Sequence, residues 1–378
     1  MIALAIGVVA LAAWGWLALF HHGFWRAAEI DGAAVEAPVT WPAVTAIVPA
    51  RDEAEVVGEA IGSLAAQDYP GPFRILLVDD GSSDGTAAVA RAAAEGSGRL
   101  DVVQGSPLPR GWTGKLWAMN QGVARAGDAP AFLWFTDADI VHAPDTLRML
   151  VVRAVRDRLV LHSLMAELRC DSPAERALVP AFVFFFQMLY PFAAVNRPAS
   201  RIAAAAGGCM LADRAALARA GGIAAIAAAL IDDCAMGRAM KAQGRTRLAL
   251  THRARSIRPY GGWREIGAMI ARSAYAQLGY SPWALAGTLL GLALMYLTPP
   301  LLALFGHGAA RWCGLAAWSL MALLFQPMLR FYRRSALWGV ALPAIGLFYA
   351  GATFASALAH WRGRGGYWKG RAQAQLCP

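Results

Sequence analysis

Charge is what this 378-residue chain has least of: Asp, Glu, Lys and Arg together make up 16% of it. Soluble domains usually carry about 25%, so part of the chain is expected to sit in lipid. The charges present are unbalanced, 35 Lys and Arg against 25 Asp and Glu, for a formal net charge of +10. No long basic run accompanies that excess. This argues against a nucleic-acid partner and assigns the surplus cations to the cytoplasmic face of a membrane. Cysteine is scarce and scattered. Cys170, Cys209, Cys234, Cys313 and Cys377 include no pair at the close spacing that metal and redox sites favour. Packing roles in a reducing compartment follow. Lys and Arg are also missing from the apolar stretch at residues 1–20, which His21, His22 and Arg26 follow. A cleaved signal peptide would want a basic start and a small-residue cleavage site, so residues 1–22 are expected to be an uncleaved transmembrane anchor.

What the chain has instead is a mixed central region and a greasy C-terminal third. Val44-Thr-Ala-Ile-Val48, Ile75-Leu-Leu-Val78 and Ala131-Phe-Leu-Trp-Phe135 are short apolar runs. Such runs suit strands buried on both faces, as in a parallel sheet. Helical stretches at 53–66 and 86–95 lie between them, and strands alternating with helices predict an α/β domain. The strands end in polar residues: Pro49 closes the first, Asp79-Asp80-Gly81 the second and Thr136-Asp137 the third. Ligands of open α/β sheets bind outside the carboxyl ends of the strands, so these aspartates are expected to converge on one edge.

Each acidic pair has a possible chemical role. A nucleotide diphosphate needs its charge neutralised, and Mg²⁺ or Mn²⁺ takes oxygen ligands for that purpose. Asp137-Ala138-Asp139 follows a strand, so the two carboxylates can point to the same side if Ala138 faces away. Asp79-Asp80-Gly81-Ser82-Ser83-Asp84-Gly85-Thr86 carries residues suited to turns and helix capping, but two adjacent aspartates exceed what capping needs. Asp232-Asp233 reads equally as an acidic pair complementing a helix dipole or as a general base for an attacking alcohol.

Taken together, Val48-Pro49-Ala50-Arg51-Asp52-Glu53, the VDDGSSDGT stretch, Trp112-Thr113-Gly114-Lys115, Asp137–Asp139 and Asp232-Asp233 resemble, in order, the motifs of family 2 glycosyltransferases. The resemblance spans roughly residues 44–275. It is closest to the hopanoid-associated membrane glycosyltransferases, through Phe184-Phe185-Phe186, Gly207-Gly208-Cys209-Met210, Asp232-Asp233-Cys234 and Ala276-Gln277-Leu278 with Tyr280-Ser281. A more distant likeness is to ceramide glucosyltransferases. The resemblance implies a nucleotide-diphospho-sugar transferase fold (GT-A, Rossmann-like) beside transmembrane helices, and inverting transfer from a UDP-sugar donor. It implies donor contacts from Pro49, Arg51, Glu53, Asp79, Asp80, Lys115 and Asp137, and metal binding by Asp139 with Asp137. It further implies an acceptor site at Gly207, Gly208 and Cys209, and Asp233 as base beside Asp232. Many membrane members carry Q-x-x-R-W, where this chain has Met269-Ile270-Ala271-Arg272-Ser273. Arg272 would then meet the diphosphate, and the missing tryptophan points to single transfer onto a lipid rather than chain extension.

The implied organisation is a 1–22 anchor, a 40–280 catalytic domain, a 283–360 transmembrane region and a basic tail at 361–378. Three C-terminal spans are expected at 283–305, 312–329 and 337–359, with Pro299-Pro300 breaking the first. The apolar 178–195 segment contains Pro180, Gln187 and Pro191, and reads as an interfacial surface where a lipid acceptor approaches. A bacterial-type inner membrane with a cytoplasmic catalytic domain puts Arg330, Arg333 and Arg334 inside. The same count puts the tail, with Arg362, Arg364, Lys369 and Arg371, outside. Two other readings remain at this stage: transfer to a polyprenyl phosphate, and a silent nucleotide-sugar-binding membrane partner.

Overall fold

The computed structural model describes residues 1–32 and 40–363 and the backbone of 367–368 and 371–372. Cys377 and most of the 361–378 tail, including Arg364 and Lys369, lie outside the described residues. Eight strands form one sheet: β1 (Val44–Ala50), β2 (Phe73–Asp79), β3 (Leu100–Gln104), β4 (Phe132–Thr136), β5 (Ile140–His142), β6 (Leu159–Glu167), β7 (Cys209–Asp213) and β8 (Arg245–Ser256). Their order across the sheet is β3-β2-β1-β4-β7-β6-β8-β5. The first strand runs through Pro49 to Ala50 rather than stopping at the proline, and every residue of it is buried.

The sheet is mixed: the three runs read from the sequence, β1, β2 and β4, are parallel as expected, and the reversal lies in a strand beyond them. β3, β2, β1 and β4 are parallel, but β7 pairs antiparallel with both β4 and β6. That reversal matters for the site. Ala50 pairs with Asp79, and Cys209, the first residue of β7, pairs with Thr136, the last of β4. The antiparallel strand therefore begins at the edge where its parallel neighbours end. β5 pairs antiparallel with β8, joining Ile140 to Ser256, so the chain leaving β8 also emerges beside Asp139.

Among the described residues, four helices are long and apolar enough to cross a membrane: Ile2–Phe20, Pro282–Phe305, Gly308–Phe331 and Leu342–Trp361. Pro299-Pro300 does not break the second of these. The helix widens into a π-turn at Ala293–Leu297 and resumes at Thr298, with the prolines in the first turn of the resumed segment. A proline removes a backbone donor and its ring crowds the preceding turn, and the wider turn accommodates both.

Residues 178–195 differ from the expected open interfacial surface. They belong mostly to the helix Pro173–Leu189, whose Leu178, Val179, Pro180, Ala181, Val183, Phe184 and Gln187 are buried. Phe184 packs on Phe24 and Phe325, and Phe185 on Tyr296 and Tyr349. This helix joins the eight-stranded sheet to the apolar helices. Its start is held by a capping box between Ser172 and Glu175.

The ends of the apolar helices divide into two sets. Met1 and Leu4 share a cavity with Leu301, Phe305 and His307 at one end of the bundle. At the other end, Phe331 stacks on His252 of β8 with ring centroids 4.2 Å apart. The chain then doubles back along Gly308–Phe331: Gln326 Nε2 donates to Ala336 O at 3.2 Å and Trp318 Nε1 to Val340 O at 3.0 Å. Leu342–Trp361 thus begins halfway along its neighbour. It finishes where His360 stacks on Tyr280, centroids 4.5 Å apart, just before Pro282. Its C-terminal end lies at the catalytic-domain end of the bundle, not at the opposite one.

Candidate active site

The donor edge is built from two turns laced together. Asp52 N donates to Ser82 Oγ at 3.0 Å, Glu53 N to Thr86 Oγ1 at 2.8 Å and Ala54 N to Asp84 Oδ2 at 2.9 Å. Asp79 Oδ1 accepts from Ser82 N at 2.9 Å, a turn contact, while Arg51 Nη1 donates to the Asp80 carbonyl. Much of VDDGSSDGT thus does turn work, as its Ser, Asp and Thr content suggested. It fixes Asp80 and Glu53, which are 3% and 8% exposed, at the ends of adjoining strands. Pro49 lies within β1 opposite Val78 and contributes backbone shape.

The Asp137–Asp139 turn is anchored from below. Thr136 Oγ1 donates to Gly208 O at 2.9 Å and lies 2.8 Å from His142 Nε2. Because the hydroxyl proton goes to Gly208, the imidazole Nε2–H must donate to Thr136, and burial holds His142 neutral, its pKa pushed down to about 3.

Two protein cations sit on the acidic pairs. Lys115 Nζ lies 2.7 Å from Asp137 Oδ1 and 3.0 Å from Asp232 Oδ2. The lysine is in the first turn of the helix Gly114–Ala126, capped by Thr113. Burial works against its charge, but the two carboxylates outweigh burial and hold it ionised. Arg258, two residues beyond β8, donates from Nε to Asp139 Oδ2 at 2.8 Å. Its Nη2 donates to both Glu53 oxygens at 2.8 and 2.7 Å. This forked contact suits a guanidinium, which meets carboxylates with planar geometry.

Asp232 and Asp233 open the helix Asp232–Lys241. Asp233 Oδ1 accepts from Cys234 N at 2.7 Å and Oδ2 from Gly207 N at 3.3 Å. Acidic residues in a first helical turn, where they complement the helix dipole, and site membership therefore coexist in this pair. Asp233 is half-buried. Burial first, then the Asp232 charge, push its pKa up to about 6, against the pull of Lys115 and the two N–H groups.

The structure brings together Glu53, Lys115, Asp137, Asp139, Asp232, Asp233 and Gly207. A Cβ at Gly207 would sit 3.3 Å from Lys115 Nζ and 3.6 Å from Asp233 Cβ, so only glycine leaves that gap open. Gly208 is different: a Cβ there would press on Ile140 at 3.2 Å, a packing constraint. The expectation for Cys209 is corrected. Its side chain is fully buried and its sulfur lies 3.3 Å from Trp134 Nε1, inside the core rather than toward an acceptor. Arg272 is exposed on the helix Trp263–Gln277 and makes no hydrogen bond or ion pair with any described residue. The arginine on the donor carboxylates is Arg258, which sequence reasoning missed. It sits in an irregular segment 119 positions from Asp139, with only a Ser-Ile-Arg-Pro string to mark it.

Among the described residues no cluster of three or more His, Cys, Asp or Glu side chains could cage a metal. Two adjacent hard carboxylates still fit a divalent cation that takes its remaining ligands from donor phosphates and water. Cationic nitrogens at 2.7 and 2.8 Å already stand on both Asp137 and Asp139, so each carboxylate draws positive charge.

Residues 45–221, a little under half of the chain, match the family described as Glycosyl transferase family 2. An N-acetylglucosaminyltransferase of Rhizobium leguminosarum bv. viciae is 35% identical over 136 residues, 35% of this chain and 30% of that protein. The 4,4'-diaponeurosporenoate glycosyltransferase of Staphylococcus aureus (strain MRSA252) is 37% identical over 98 residues, 26% of this chain and 24% of its own. The chain thus spans less than a third of the length of either relative. Among solved structures, the mannosyltransferase PcManGT from Pyrobaculum calidifontis, in complex with GDP-Man and Mn²⁺, superposes with a TM-score of 0.58. It is 20% identical, over 94% of this chain and 99% of that one. The likeness is one of fold: a GT-A-like mixed α/β sheet with apolar helices.

Proposed function

We propose that this chain is a membrane-bound inverting glycosyltransferase that moves one sugar from a UDP-sugar to a lipid hydroxyl, with Asp233 as general base. The observation that carries this reading is Lys115, whose ammonium lies within 3.0 Å of both Asp137 and Asp232. It joins the acidic pair at a strand end, suited to a diphosphate, to the pair suited to a proton transfer. A reacting centre belongs between the two.

The acceptor oxygen attacks the anomeric carbon and forms the new C–O bond. The bond from that carbon to the diphosphate breaks on the opposite face, and its electron pair leaves with the nucleoside diphosphate. The hydroxyl proton passes to Asp233. A single displacement of this kind inverts the anomeric centre. Lys115 supplies fixed positive charge where negative charge grows on the leaving group. A Mg²⁺ or Mn²⁺ ion would be held by Asp139 and Asp137 and would add Lewis-acid stabilisation of that diphosphate. Glu53 and Asp80 would take the uridine, with Asp79 and Arg51 bracing the turn.

The acceptor class rests on the likeness to hopanoid-associated enzymes and on the apolar helices beside the site. Those helices fit a multi-pass protein of a bacterial-type inner membrane, its 40–280 domain cytoplasmic. Asp233→Asn in detergent-solubilised protein is expected to lower UDP release in the presence of lipid acceptor by on the order of a hundredfold or more. UDP binding should stay within a few-fold. Normal turnover by that variant sinks the base assignment and favours an acceptor that is already ionised, such as a polyprenyl phosphate.

A further inference from the structure

Arg258 is the least expected member of the site. Its guanidinium ties together Glu53 and Asp139, which belong to different strand ends. We propose that Arg258 is a placeholder for the divalent cation: its guanidinium neutralises Asp139 and must leave that carboxylate before a metal ion binds. This inference rests on the reading of Asp139 as a metal ligand and adds a competitor for it.

Three observations support the exchange. Asp139 and Glu53 are enclosed, with side chains 14% and 9% exposed, so a positive charge held against them matters more than it would at the open surface. The Arg258 side chain is 33% exposed, so one side of the guanidinium already faces water and has a way out. The backbone on either side is pinned independently. Ile257 N donates to Asp139 O at 3.0 Å and Tyr260 N to Glu175 Oε1 at 3.0 Å. Rotation of the arginine side chain can therefore vacate the carboxylate without moving the strand end. Lys115 on Asp137 is more enclosed, its side chain 19% exposed, and so has less of a way out.

The consequence is that metal binds weakly until a nucleoside diphosphate arrives. The diphosphate brings ligand oxygens for the cation and negative charge for the displaced guanidinium. A hydrogen-bonded charged contact is worth about a factor of ten in binding. Mn²⁺ binding to the full chain in detergent, followed by electron paramagnetic resonance without nucleotide, reads this directly. Arg258→Gln should bind Mn²⁺ about tenfold tighter than the unmodified protein. Arg258→Lys, which keeps a charge but cannot fork across two carboxylates, should fall between them and serves should the glutamine variant fold poorly. Equal or weaker Mn²⁺ binding in both variants overturns the proposal. If binding tightens as expected, yet neither UDP nor GDP raises Mn²⁺ affinity in the unmodified protein, the placeholder stands and the nucleotide-sugar reading fails.

Discussion

At the scale of single residues, the two aspartates at the start of one helix divide the work because their surroundings differ. Asp233 is crowded by burial and by the charge of Asp232, and its carboxyl is pushed up to about 6. A raised carboxyl pKa means the proton is kept until the pH reaches that value, and only the ionised form can take a proton from the acceptor. kcat/KM should therefore rise with pH through about 6 and level off above it, as measured by UDP release across a buffer series. Asp232→Asn removes the like charge and should move that limb to lower pH. A limb near the ordinary carboxylate range of about 4 in the unmodified protein would contradict the buried, like-charged surroundings of Asp233. Asp137, Asp139, Asp232 and Asp233 were all readable as candidates, because acidic pairs after apolar runs are conspicuous. Arg258 was not, since its partners Glu53 and Asp139 lie 205 and 119 positions away and only tertiary folding joins them.

Among elements, direction was the hidden quantity. The runs that became β1, β2 and β4 were legible from their length and apolar character, but a fully buried run looks the same whichever way it points. The reversal of β7 could not be read, although it is what delivers Gly207 to the aspartate edge. The Pro173–Leu189 helix gave a second ambiguity: its apolar content fits a lipid surface as well as a core, and packing against the apolar helices decides for the core. Ala276-Gln277-Leu278 with Tyr280-Ser281, read as family likeness, turns out to be a joint. Tyr275 Oη donates to Tyr280 O at 2.8 Å, and Ser281 caps the helix that begins at Pro282. Glu175 belongs to this scale as well. Its Oε2 accepts from Asp171 N and Ser172 N at 2.9 and 2.8 Å, and its Oε1 from Tyr260 N at 3.0 Å. It starts one helix and pins the segment that presents Arg258. Glu175→Ala is expected to cost on the order of 2 kcal/mol, seen as a lower thermal midpoint in detergent, with weaker UDP binding. Glu175→Gln should recover part of the midpoint. An unchanged midpoint in the alanine variant would mean those three donors find other partners at no cost.

For the whole molecule, the question is which side each helix end faces. Counting apolar runs gave three C-terminal crossings, which put the arginines at 330–334 and the tail on opposite sides of a membrane. The packing gives another arrangement. After Phe331 the chain returns along its own helix as far as Trp318 before Leu342–Trp361 begins, so that helix starts midway and runs back toward the catalytic domain. A returning segment with only a 3-10 turn, Ala336–Gly339, is tolerable in a bilayer only if the rest of its backbone is satisfied by protein. Gln326 and Trp318 do this for Ala336 and Val340, which gives the glutamine a role in a largely apolar helix. Arg330, Arg333, Arg334 and Arg362 then share the catalytic face, while Arg311 stands at the far end of the bundle, near His307. That asymmetry agrees with basic residues on the cytoplasmic side. Single cysteines at Arg334, Arg362 and His307, placed in a background without reactive native thiols, test the arrangement with a membrane-impermeant maleimide. Arg334→Cys and Arg362→Cys should label in inverted vesicles, and His307→Cys only in spheroplasts. Labelling of Arg362→Cys from the same side as His307→Cys would restore the three full crossings. The basic tail would then lie across the membrane from the site it follows.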